Sequence, residues 1–221
     1  MTIADLRPDG AVLVDLGPVA QLRAGRLLLR LPQLVIGLYL FGASLAMMVR
    51  AGVGTAPWDV LHLGLIRHLP LSLGQVVIAL SFVVLLAWIP LRERPGIGTI
   101  ANALLVGLSA DATLLLLDAP EAMAARVALM VGGVVLCGFA SALYIGAQFG
   151  RGPRDGLMTG LSRRTGWSLR AVRTALELGV VLVGILLGGV AGLGTIVYAL
   201  GIGPLTQALL PWCLVRLDVE D

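Results

Sequence analysis

The sequence predicts an all-α membrane protein: six transmembrane helices plus two short half-helices, built from two inverted three-helix repeats. Three observations carry that expectation. Apolar residues make up 58% of the 221 residues and charged residues 13%. With a mean hydropathy of +0.96, that is more apolar surface than a soluble domain of this length can hide. The stretch Gly54-Thr55-Ala56-Pro57-Trp58-Asp59-Val60-Leu61 recurs 96 residues later as Gly150-Arg151-Gly152-Pro153-Arg154-Asp155-Gly156-Leu157. Between Val35 and Gly107 the same displacement gives 29 identities in 73 positions, far more than shared apolar composition supplies, so the chain is a duplication. All 16 basic residues are arginines, and their placement sets the direction of the crossings.

In chain order, Met1 to Gln21 is a mixed segment holding Asp5, Asp15 and two prolines. It lacks the basic start and apolar core of a cleavable signal and reads as a cytoplasmic tail. Arg23, Arg26 and Arg30, with leucines between, extend it as an interfacial segment to residue 32. A single membrane domain follows over 33–213, with repeat one at 33–117 and repeat two at 129–213. Its six apolar segments run near 33–50, 72–91, 97–117, 126–149, 170–189 and 193–213, each of membrane-helix length. Residues 214–221 form a cytoplasmic C-terminal tail. Cys137 and Cys213 fall in or at the end of apolar segments, as packing residues rather than a disulfide.

The half-helices are expected near 57–69 and 153–165. Gly54 or Gly150 permits the tight turn into each. Pro57 or Pro153 then sits where a missing N–H costs nothing, and an Asp in the first turn complements the free N–H groups. If neither half-helix crosses the bilayer, the arginines divide 13 inside to 3 outside; if both cross, they divide 11 to 5. The excess of positive charge on the inner side prefers the first arrangement. Asp155 to Trp167, with Arg163 and Arg164, is also too short and polar to span. Three crossings per repeat is an odd number, so the second copy lies upside down relative to the first, an architecture common in transporters. Irregular backbone at membrane depth then needs protein or a polar cavity to receive it.

The candidate pathway residues are Asp59, Asp155, Asn102, Tyr198 and Glu177. Asp59 and Asp155 are kept in both copies, and two readings stay open: acids that fix a helix start, or carboxylates that bind a cation, proton or amine. Glu177 lies about two turns inside the fifth apolar segment, and Arg173 four residues earlier can neutralise it. Asn102 and Tyr198 are matched positions that line a cavity or hydrogen-bond between helices. Thr99 and Thr195 bond to their own helix backbone or start the helix as caps. Gly42 with Ala46, and Gly138 with Ala142, are small pairs that permit close helix approach. No metal-ligand spacing, nucleophile motif or phosphate loop is present, His62 is unmatched by its mate Met158, and neither a cofactor nor enzymatic activity is expected.

The runs Gly-x-Gly-x-x-Pro-Trp-Asp-Val-Leu at 52–61 and Gly-Arg-Gly-Pro-Arg-Asp-Gly-Leu-Met-Thr-Gly-Leu at 150–161, with Gly-x-Gly-Thr-Ile in both copies, resemble the YczE family of bacterial membrane proteins. A looser similarity is to YitT. The resemblance covers roughly residues 33–210 and implies a multi-pass protein of the bacterial inner membrane. It brings no substrate or catalytic residue with it. The expected function is a transporter or facilitator for a small solute; the alternative is a non-transporting membrane partner or substrate-binding subunit of another complex. Expected partners are the lipid bilayer, a small solute and further copies of the chain in a homo-oligomer, with no nucleic acid, and both chain ends are expected in the cytoplasm.

Overall fold

Prolines and glycines set five of the nine helix starts in the computed structural model, which describes Leu13 and residues 16–217. Residues 1–12, 14 and 15 of the expected N-terminal tail, and 218–221, half of the expected C-terminal tail, lie outside the described residues. Among the described residues the chain forms nine α-helices and no strand. They are α1 (Pro18–Arg23), α2 (Leu27–Ala51), α3 (Pro57–Leu65), α4 (Leu73–Leu91), α5 (Ile97–Leu116), α6 (Met123–Gly146), α7 (Pro153–Thr165), α8 (Leu169–Leu186) and α9 (Leu193–Cys213).

Five of these, α2, α4, α5, α6 and α9, are long and apolar enough to cross a membrane. The sixth expected crossing, α8, is an 18-residue helix carrying Arg170, Arg173 and Glu177, and those charges hold it below the apolarity of the others. The half-helices α3 and α7 have 9 and 13 residues. At 1.5 Å per residue they reach about 13 and 20 Å, short of the roughly 30 Å hydrocarbon core. α3 stops at Leu65 rather than near 69, followed by a turn that leads to Pro70 and the Ser72 cap of α4.

α2 starts at Leu27, six residues before the expected start of the first apolar segment, so Arg30 lies within that helix. Its side chain is fully buried. It donates to the carbonyls of Gln21 (2.8 Å), Gly25 (3.1 Å), Ala147 (2.9 Å) and Gln148 (2.9 Å), and its guanidinium sits 4.3 Å from the Phe149 ring centroid. The last carbonyls of a helix have no partner of their own, and Arg30 supplies one at the end of α6.

The duplication is visible in the backbone. Gly54 and its mate Gly150 both take positive φ, 116° and 103°, conformations that side chains resist. The Gly194 N–H donates to Val53 O at 2.9 Å, and with the copies exchanged the Gly98 N–H donates to Phe149 O at 2.7 Å. Thr99 and Thr195 are equivalent acceptors for the Gly96 and Gly192 N–H groups at 3.0 and 3.2 Å. Packing is reciprocal too: α2 lies on α5 as α6 lies on α9, and α3 lies on α8 as α7 lies on α4. Where α7 meets α4, the Trp88 ring fills the space a side chain at Gly156 would need; at the equivalent place Gly184 receives the Val60 backbone. Gly42 packs on Ser109 of α5 and Gly138 on Leu205 of α9, both close approaches of the small-residue faces. α2 and α6 run antiparallel, since Gly37 abuts Tyr144 while Gly133 abuts Met48.

The reciprocity fails at one seam. α4 and α5 are tightly joined: a Cβ at Gly74 would strike Gly107 O and, at 2.6 Å, the Asp111 carboxyl. Asp111 accepts from the Gly74 N–H at 2.7 Å and the Ser72 hydroxyl at 2.5 Å. The equivalent pair, α8 and α9, barely touches, and Gly203, the mate of Gly107, has nothing within 4 Å of a built Cβ. The sequence difference is local: Arg170 stands in place of Gly74, and Gln207 in place of Asp111.

Candidate functional site

Both half-helices begin at the wall of one cavity of about 260 Å³. Ala56, Pro57 and Trp58 line it from α3, and Gly152, Pro153, Arg154 and Asp155 from α7. Eight further wall residues come in repeat-matched pairs: Ser81 with Glu177, Val77 with Arg173, Asn102 with Tyr198, and Val106 with Ile202. The cavity therefore sits where the two copies meet. It extends past Gly203 and Thr206 to the exposed Gln207, along the loosely packed α8–α9 side, whereas the α4–α5 side is sealed.

Each charged group around the cavity has a readable environment. Tyr144 donates its hydroxyl to Asp155 Oδ2 at 2.8 Å. Arg173 Nε donates to Glu177 Oε1 at 2.8 Å, an i,i+4 pair along α8. Asp59 lies just behind the wall, almost fully buried, with Oδ1 3.0 Å from His62 Nδ1. Arg154 reaches toward both copies: its guanidinium is 5.1 Å from the Trp58 ring centroid and 4.0 Å from Asp59 Oδ1. Trp88 Nε1 donates to Pro153 O at 2.9 Å and anchors the start of α7.

Of the residues singled out from sequence, the structure brings Asp155, Asn102, Tyr198, Glu177, Pro57 and Pro153 onto the cavity wall. Asp59 contacts the cavity only through Arg154. Gly54 and Gly150 lie away from it, where they let the turns pass against the starts of α9 and α5: Gly54 by Gly192 and Thr195, Gly150 by Gly96 and Thr99. The partners of Asp59 and Asp155 are side chains, His62 with Arg154 and Tyr144 respectively, rather than helix N–H groups.

Sequence reasoning passed over Arg154, Trp58 and Tyr144. A signal for the first two was present, since Arg154 is the mate of Trp58 and Arg173 the mate of Val77. Positions where one copy is apolar and the other charged mark places freed from the shared backbone role. Tyr144 had no such signal, because only packing puts its hydroxyl beside Asp155.

No solved structure matches the chain. A protein of Haemophilus influenzae described as uncharacterized is 38% identical over 177 residues, covering 80% of this chain and 81% of that one. The uncharacterized membrane protein YczE of Bacillus subtilis is 34% identical over 179 residues, covering 80% and 83%. The uncharacterized protein YyaS of the same organism is 26% identical over 183 residues, covering 80% and 90%. Residues 28–211 match the family of unknown function DUF6198, a region that takes in nearly all of α2 to α9, with both half-helices and the cavity between them, and leaves out α1. The chain is a YczE-like, multi-pass membrane protein and belongs to that family.

Proposed function

We propose that this protein is a small-solute transporter of the bacterial inner membrane, working by alternating access between two inverted repeats. The observation that carries the reading is the unequal pair of seams: one cavity, sealed along α4–α5 and open along α8–α9. In an inverted repeat, equivalent seams lie on opposite sides of the membrane, and exchanging their conformations exposes the cavity to the other side. Support for inversion comes from the antiparallel α2 and α6 and from half-helices too short to span. The α8 seam opens near Arg170, Arg173 and Gln207. With both chain ends and the Arg163–Arg164 loop in the cytoplasm, this is an inward-open state. Closing the α8–α9 seam would bring Arg170 toward Gln207.

The test is solute flux by the purified protein in liposomes, together with single-cysteine labelling of position 120 from each side. Exchange of a solute across the bilayer and labelling of position 120 from outside are expected. Labelling of that position only from the cytoplasm overturns the inverted topology. Activity obtained only with an added membrane partner replaces the transporter with the accessory-subunit reading.

A further inference from the structure

We infer that the cavity selects a small zwitterion, a carboxylate and an ammonium on one molecule of amino-acid size, with Arg154 holding the carboxylate. The inference rests on the transporter reading of the same cavity and names its substrate class.

Three independent features lead there. First, Arg154 is the odd member among the charged groups of the wall. Asp155, Arg173 and Glu177 each hold a direct hydrogen bond of 2.8 Å, whereas the Arg154 guanidinium makes no hydrogen bond among the described residues. It touches only the Trp58 face and, at 4.0 Å, Asp59. Its side chain is 23% exposed, so a fork of donors is left on a cavity wall, the geometry that matches a carboxylate with two parallel bonds. Second, Trp58 lines the cavity while only 6% exposed, and its Nε1–H is buried with no hydrogen-bond partner. A buried donor left unmade is costly and expects an acceptor. Both residues stand in the first turn of a half-helix, where free backbone N–H groups add to the preference for negative charge.

Third, the lining is balanced: Arg154 and Arg173 against Asp155 and Glu177. A multiply charged anion would meet two carboxylates, and a bare cation would meet the Arg154 guanidinium, which among the described residues has Asp59 only at 4.0 Å and no direct hydrogen bond. A molecule bearing both charges meets neither penalty. Its ammonium has Asp155, whose Oδ1 is free of the Tyr144 bond, in a wall that also carries the aromatic side chains of Tyr144 and Tyr198.

The experiment uses the purified full-length protein in detergent. The twenty L-amino acids, β-alanine and glycine betaine are added separately at 10 mM, each beside the amine lacking its carboxylate and the acid lacking its amine. Unfolding temperature and calorimetric binding are read. At least one zwitterion is expected to raise the unfolding temperature by more than about 3 °C, with its matched amine and acid shifting it less than a third as far. Arg154→Gln is expected to weaken binding at least tenfold, and Arg154→Lys to recover only part of it, both variants remaining monodisperse by gel filtration. Should Arg154→Gln not fold, Trp58→Phe, which keeps the ring and removes the donor, is expected to weaken binding at least threefold. Stabilisation by the amines or the acids alone, or by no probe, overturns the inference while leaving transport of another solute open to the flux assay. Zwitterion binding without flux upholds the inference and overturns the transporter.

Discussion

Removing the Asp111 carboxylate is the sharpest test of the sealed α4–α5 seam. Asp111→Ala deletes two hydrogen bonds that tie the start of α4 to α5, from Gly74 N at 2.7 Å and Ser72 Oγ at 2.5 Å. Hydrogen bonds to a charged group contribute about 1.5–3 kcal/mol each. Ser72 is exposed, which places the sum near the low end, about 2–3 kcal/mol. If only the sealed state holds these bonds, their loss shifts the open-to-sealed ratio by about 30- to 150-fold. The assay places a single cysteine at Val77, buried on the cavity wall, in a background with Cys137 and Cys213 replaced by serine. An impermeant maleimide is then added from the side where α4 begins. The labelling rate follows the open population and is expected to rise at least tenfold. Asp111→Asn keeps an acceptor for the Gly74 N–H without the charge and should fall between. An unchanged rate, with folded yield intact, would refute the idea that this seam is a gate.

Other outcomes follow from the same contacts. Gly156→Val forces a side chain into the Trp88 ring and is expected to cost about 1–3 kcal/mol, seen as a lower unfolding temperature; combined with Trp88→Ala the loss should be smaller than the sum of the single losses. Arg30→Ala strips partners from four carbonyls and should cost more than about 3 kcal/mol, read as loss of the monodisperse peak in gel filtration. Lysine at position 30 should fail to restore it, one ammonium being unable to span the fork's geometry. Asp155→Asn keeps an acceptor for Tyr144 and should fold normally, yet weaken zwitterion binding at least tenfold. Asp59→Asn, behind the wall, should change binding less than threefold, and equal effects at the two sites would return both carboxylates to a purely structural role.

The sequence by itself determined what is local. The long apolar segments, the duplication at 96 residues and the starts of α3 and α7 at Pro57 and Pro153 follow from residue types that act on their own few neighbours. Glycine permits the turn at 54 and 150, and proline begins a helix without needing its N–H. The Arg173–Glu177 pair was legible for the same reason, since four residues on a helix are one turn apart. Tertiary structure alone decided the rest. The burial of Arg30 could not be read from its neighbours, because its carbonyl partners at 147 and 148 lie more than a hundred residues away. The replacement of Gly74 and Asp111 by Arg170 and Gln207 is plain in the sequence. That it leaves one seam open, with Arg154 set against Trp58 from the other copy, depends on which helix faces come together. Backbone rules are written in adjacent residues, whereas a buried charge takes its meaning from partners that only packing brings within reach.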